Sequence, residues 1–232
     1  MTGPVPVVVE LFTSEGCSSC PPADQVLMDL VERQPVPGAL VIGLSEHVDY
    51  WNSLGWKDPF SDALFSRRQS NYADARNSTN IYTPQMVVDG TDEFVGSDRG
   101  TALAAIARAA AHPKPTLGIE WMPGSAVVHV TLAPARDTSR AEVFVALIED
   151  GLHSSVSRGE NAGHELVHTG VTRRLISAGK TSADGSLQAT VSLGVNLEKS
   201  AGRALKVVAF VTRQSDRHIV AAGLATPPAA SR

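Results

Sequence analysis

The only two cysteines of the 232-residue chain, Cys17 and Cys20, lie three apart in ELFTSEGCSSCPPAD (10–24). A pair at this spacing offers three chemistries: a local disulfide staple, half of a metal site, or a dithiol that exchanges with other disulfides. A structural zinc site takes four ligands as a rule, and no second CxxC stands ready to complete one. Two cysteines in a chain this long do not make a disulfide-rich scaffold. Exchange, the third chemistry, needs a thiolate. Free cysteine has a pKa of about 8.5, so only a few per cent is ionised at neutral pH. A helix starting just after Cys17 would lower that value, because its positive dipole end and unpaired first N–H groups would face the sulfur. A drop to about 7 makes roughly half of it thiolate, at about 1.4 kcal/mol per unit. Cys20, one turn on, would be the more buried, resolving thiol. The expected cycle is attack by Cys17 on a partner disulfide, a mixed disulfide, and release by Cys20.

The elements that must position this pair are legible. PVVVELF (6–12) is an apolar run of the kind covered on both faces of a sheet. Val26, Leu27, Leu30 and Val31 recur at helical spacing within 21–33. ALVIGLSEHV (39–48) reads as a second strand. Asp58-Pro59 reads as the cap and first residue of a helix through FSDALFSRRQSNYADA. QMVVDGTDEFVG (85–96) reads as a hairpin turning at Asp89-Gly90, and SDRGTALAAIARAAA (97–111) as an Ala-rich helix. His112-Pro113-Lys114-Pro115 breaks it. Beyond lie six strand-like stretches: SAVVHVTLAP, AEVFVALIED, HELVHTGVTRRLIS, GSLQATVSLG, ALKVVAFVTRQ and HIVAAGLA. The pattern predicts a β-sandwich. The Pro227–Arg232 end reads as frayed.

Strand, CxxC, helix, strand, helix, hairpin and helix is the order of a thioredoxin fold. Two stretches carry the resemblance: Cys17-Ser18-Ser19-Cys20, and Tyr82-Thr83-Pro84-Gln85-Met86-Val87-Val88-Asp89-Gly90, similar to the Thr–cis-Pro entry of a central thioredoxin strand. With its opening stretch and its HVDYWNSLGWKDPF insertion, the chain resembles the bacterial DUF1223 family, thioredoxin-like at its N-terminus, over most of its length. The resemblance implies an α/β fold: a thioredoxin-like domain over 1–112 with an inserted loop at 47–58, then a β-sandwich-like domain over 116–226. It implies a cis Pro84, with the Thr83 backbone turned toward the sulfurs to pair with an extended peptide. Ser18 and Ser19 replace the Gly-Pro of thioredoxin itself, so its reduction potential does not carry over. Pro21 and Pro22 stiffen the first helical turn, where missing N–H groups cost little. Thioredoxins bury an acid six residues before the first cysteine. Glu10, seven before Cys17, is the candidate here; a strand-end residue in a salt bridge or facing solvent is its alternative role. Glu15, in the loop, is expected to be exposed and to oppose ionisation of the cysteine.

His47 ends the second strand and reads as a hydrogen-bonded structural histidine, with a substrate-binding, proton-relay or metal-ligand role as the alternative. With the first two strands parallel, Cys17 and His47 would lie on the strand-end edge where open α/β sheets bind ligands. Trp51 and Trp56, on the loop that follows, are candidate substrate-binding aromatics. In the second half SRGENAGHELVHTGVTR (157–173) is the most polar cluster. His164 and His168 are four apart on an expected strand, about 13 Å, too far to share a metal. The cluster reads as structural, or else as a domain–domain contact or a site shared with the redox face. Arg158, Glu160 and Asn161 read as a turn.

The expectation is a thiol–disulfide oxidoreductase with Cys17 as nucleophile and Cys20 as resolving thiol. Its partner would be a disulfide-bearing protein or a small-molecule thiol compound, with no cofactor. One rival is a copper-binding protein using Cys17, Cys20 and His47 as a soft trigonal site. The other is a non-catalytic interaction scaffold. A net charge of -4 and pI near 6.0 give no general affinity for nucleic acid or anionic membranes. No apolar run approaches the roughly 20 residues of a membrane span. The start shows no export signal, so the expected compartment is the cytoplasm, or the periplasm if a leader was trimmed.

Overall fold

The computed structural model describes residues 3–122, 124–196 and 202–228; the last four residues of the end expected to fray lie outside them. β1 (Val5–Thr13) and β2 (Ala39–His47) run parallel, in register from Val5↔Ala39 to Thr13↔His47. β3 (Gln85–Val88) pairs antiparallel with the other side of β1, and β4 (Asp92–Val95) closes a hairpin onto β3. The turn is at the expected Asp89 and Gly90, both at positive φ (47° and 74°). A Cβ on Gly90 would stand 2.0 Å from the Arg217 carbonyl oxygen, so the close approach requires glycine.

Strand alternation divides β1 between two packing layers. Val7, Val9 and Leu11 meet Ala23, Val26, Leu27 and Leu30 of α1 (Pro21–Arg33) and Ala102, Ala105 and Ile106 of α3 (Arg99–Ala110). On the opposite face Phe12 packs on Tyr72 of α2 (Ala63–Ala75). Each fully buried Val or Leu contributes about 1.5–3 kcal/mol, so the alternation fixes which face every β1 side chain takes. α2 starts later than expected. Its cap is Asp62, accepting from the Leu64 amide, and Asp58 is released for another role.

Among the described residues the regular elements of the second half are strands and one 3-10 turn: β5 (Gly118–Trp121), β6 (Val127–Leu132), β7 (Glu142–Asp150), β8 (Leu152–Ser155), β9 (Glu165–His168), β10 (Val171–Lys180), β11 (Leu187–Ser192), β12 (Ala204–Thr212) and β13 (Ile219–Ala225). β11-β6-β5 form a three-stranded sheet whose Val128, Val130, Leu187 and Val191 pack on Val143, Val145, Val207 and Ala209 of the large sheet. That sheet has eight strands in the order β13-β12-β7-β10-β2-β1-β3-β4, so both halves share it. The joint is narrow: Val171 pairs with Ser45, and the Ser45 amide donates to the Gly170 carbonyl. Gly170 has φ 62°, and a Cβ there would stand 2.6 Å from the Gly43 carbonyl oxygen. The result is a mixed α/β fold with one large mixed sheet. Among the described residues no helix is long and apolar enough to cross a membrane.

Candidate functional site

Cys17 and Cys20 form a disulfide with a Cα–Cα separation of 5.4 Å. β1 ends at Thr13, the chain turns through Ser14–Ser19, and Cys20 caps α1 with Pro21 and Pro22 in its first turn. Cys17 is 1% exposed and Cys20 0%, whereas Ser18 and Ser19 between them face solvent. The helix start differs from expectation in one respect. The two prolines carry no N–H, and the Ala23 and Asp24 amides both donate to the Cys20 carbonyl. Support for a Cys17 thiolate therefore comes from the helix dipole and from the Ser19 hydroxyl, 3.3 Å from the sulfur.

The Thr83–Pro84 peptide is cis. Pro84 precedes Gln85, which pairs with Phe12 near the end of β1, so it lies on the sheet edge from which the cysteine loop emerges. Gly96 separates it from α1: a Cβ there would meet Leu11 at 2.7 Å, Ala23 at 3.0 Å and Pro84 at 3.3 Å. Trp51 reaches the same edge, its Nε1 donating to Thr83 Oγ1 at 2.8 Å. Trp56 Nε1 donates to Glu15 Oε2 at 2.7 Å. Tyr50, Leu54, Ile81 and Val95, close in sequence to these residues, are exposed apolar side chains.

Glu10 lies apart from this group. Seven residues before the cysteine instead of six is a one-residue offset, and in a strand that sends a side chain to the opposite face. Glu10 points to the α2 side, where it is fully buried and accepts from Arg68 Nε and the Tyr72 hydroxyl. The expectation of an acid beneath the disulfide is thus not met by Glu10, and the salt-bridged alternative describes it. Asp24, one turn after Cys20, is a buried acid carried by the cysteine helix α1 itself. Burial pushes its carboxyl up to about 7, with His168 opposing the rise.

His47 does lie at the strand-end edge, but its Nδ1 is bonded to Asp58 Oδ2 at 2.7 Å. Asp58 also accepts from the Glu15 amide at 2.8 Å. Burial pushes Asp58 up, yet the His47 ring and these bonds hold its carboxyl below the usual range. Glu15 is not the exposed loop residue expected: it is 1% exposed, between Trp56 and His168 Nε2 at 3.2 Å. Among the described residues no three His, Cys, Asp or Glu side chains are grouped to hold a metal, and the Nδ1 of His47, the third ligand of the copper reading, is taken by Asp58.

The second half reaches into this site. Asn161 Nδ2 donates to the Glu15 and Cys17 carbonyls, and Glu160 Oε2 accepts from the Ser18 amide at 2.9 Å. The rings of His168 and His47 lie 4.9 Å apart and nearly perpendicular. Asp24, Asp58 and Asn161 were not singled out as site residues by sequence reasoning. An Asp three residues into a helix and an Asp-Pro pair read locally as capping chemistry, so neither carried a signal.

A mixed α/β chain with a close CxxC pair at a helix start is what the fold and site define. The family described as "Protein of unknown function (DUF1223)" matches residues 8–212, and the chain belongs to it. Among solved structures, protein AGR_C_4864 of Agrobacterium tumefaciens is similar at 26% identity and a TM-score of 0.76, over 100% of this chain and 99% of that one. HBP35 of Porphyromonas gingivalis, at 15% identity, is similar in fold, with a TM-score of 0.65 over 100% of this chain and 79% of that one. No curated protein matches the chain.

Proposed function

We propose that this protein is a thiol–disulfide oxidoreductase of thioredoxin type. The observation that carries the reading is the Cys17–Cys20 disulfide at the start of α1, on the same sheet edge as the cis Thr83–Pro84 peptide. In the reducing direction Cys17 thiolate attacks a partner disulfide and expels one partner sulfur as thiolate, leaving a mixed disulfide. Cys20 gives its proton to the Asp24 carboxylate and attacks the Cys17 sulfur, and the second partner sulfur leaves as thiolate. Two protein thiols are oxidised and one partner disulfide is reduced. Asp24 takes the acceptor role that the sequence pointed to in Glu10. Thr83 supplies a backbone edge for an extended partner segment, and Trp51 holds that residue by its hydroxyl. The exposed Tyr50, Leu54, Ile81 and Val95 favour a protein disulfide over a small one.

Trapping tests this reading. Cys20→Ser cannot resolve the mixed disulfide and is expected to accumulate partners that a reductant releases and that the Cys17→Ser/Cys20→Ser pair does not capture. Absence of captured partners, with Cys17 inert to alkylation near neutral pH, contradicts it.

A further inference from the structure

β9 belongs to the second half, yet His168 on it lies against the cysteine helix. Its Nε2 is 3.2 Å from Glu15 Oε1 and its Nδ1 is 4.0 Å from Asp24 Oδ2. His168 is 1% exposed, and its Nδ1 and Asp24 Oδ1 are buried without a hydrogen-bond partner in the structure. Unpartnered buried polar atoms cost about 1–3 kcal/mol each, so two of them in adjacent residues call for an explanation beyond packing. The groups facing the pair are Thr13 at the end of β1, whose hydroxyl lies against Asp24 and also favours its ionised form, Glu15 from the loop after β1, His47 from β2 and Asp58 from the loop after β2. His47 is tied to Asp58, which leaves His168 as the ring facing Asp24.

We propose that His168 is a positioning residue for the resolving half-reaction, holding Asp24 in the ionised form that accepts the Cys20 proton. This rests on the oxidoreductase reading above and assigns the second half a part in the chemistry. Burial and the nearby Glu15 and Asp58 push the Asp24 carboxyl toward its protonated form, and His168 is the largest influence against that. A protonated Asp24 accepts nothing, so the Cys20 thiol would keep its proton and the mixed disulfide would persist. Glu15 is fixed on its far side by Trp56, and so holds the ring in place from a partly exposed loop residue.

The test uses the full reduced chain and oxidised glutathione as probe, with acid-quenched samples resolved by mass. The first step adds glutathione to Cys17, and the second closes the Cys17–Cys20 disulfide and releases it. His168→Gln keeps a donor for Glu15 but carries no charge. It is expected to leave the first step within about twofold and slow closure about fivefold at pH 7, a shift of about one unit in its acid limb. Closure recovers at higher pH. In the Asp24→Asn background the same substitution adds nothing further. An unchanged closure profile in His168→Gln, or equal slowing at every pH, overturns the proposal while leaving the oxidoreductase reading standing. If the wild-type chain forms neither the mixed nor the closed disulfide, both fall. His168→Asn is read by the same outcomes should the Gln variant not fold.

Discussion

Asn161 clamps the cysteine loop from 144 residues away: its Nδ2 donates to the Cys17 carbonyl at 3.0 Å and to the Glu15 carbonyl at 2.8 Å. Beside it Glu160 accepts from the Ser18 amide, and Gly159 packs on Trp56. The loop thus ties Ser18 and the Cys17 backbone to the second half, while Cys17 itself is 1% exposed. An attacking sulfur needs that cover loosened. Asn161→Ala is expected to speed reduction of the disulfide by dithiothreitol several-fold. The stability loss should be about 1 kcal/mol per hydrogen bond removed. A reduction rate no faster than wild type would show that this contact does not limit access.

The Asp24 carboxyl supplies a pH signature. Its value rises on folding from 3.8 to about 7. Between those values the unfolded chain releases the proton that the folded chain keeps, so stability falls as pH rises through this window and stays reduced above it. The full loss is about 4 kcal/mol at most, at about 1.4 kcal/mol per unit. Asp24→Asn removes the ionising group. Urea unfolding of the oxidised protein is expected to find this variant more stable than wild type at pH 8 and level with it at pH 4. A variant less stable at pH 8 contradicts the assignment. Greater stability with impaired closure is the pattern of a site residue held at a cost to folding.

On the opposite face of the sheet Arg68 is the cation facing two buried acids. It bonds Glu10 and lies 3.5 Å from Glu46, and its guanidinium stacks over Tyr72, Phe144 and Phe210 at 4.9–5.3 Å. Burial, with Glu10 adding to it, pushes the Glu46 carboxyl well above its usual range. Arg68→Leu leaves both acids without a counter-charge and should cost about 3–5 kcal/mol in urea unfolding at pH 8. The loss should shrink at pH 5, because a carboxyl raised on folding favours the folded state while protonated. A loss independent of pH would mean the aromatic stacking, not the charge, dominates.

Much of this architecture was legible because its signals are local. The apolar run of β1, the helical spacing of α1, the Asp89-Gly90 turn and the Thr83-Pro84 entry each depend on a few adjacent residues. β5 and β8, four residues each, were too short to stand out. HELVHTGVTRRLIS read as one strand, yet Gly170 at positive φ splits it into β9 and β10. The cysteine pairing was legible from spacing, and the cis Thr83–Pro84 peptide from the thioredoxin resemblance. The site was not legible at Asp24 and Asp58, and at Asn161 and His168 only as the alternative of a contact with the redox face. Their roles arise only when β9 and the 157–164 loop are brought against α1, pairings across as many as 153 residues. Glu10 shows the complementary limit: its burial was foreseeable, but which face it takes turns on a single residue of register.

The most direct measurement of the central claim is a redox titration of the full chain in glutathione buffers, with free thiols alkylated and counted by mass. The account predicts one reversible two-electron transition between about -270 and -120 mV. It also predicts that, in the reduced protein, Cys17 reacts with alkylating agent before Cys20, with a pKa below about 8.5. A disulfide that stays closed below about -300 mV, or two thiols equally inert at neutral pH, would make the pair a structural staple and contradict the account.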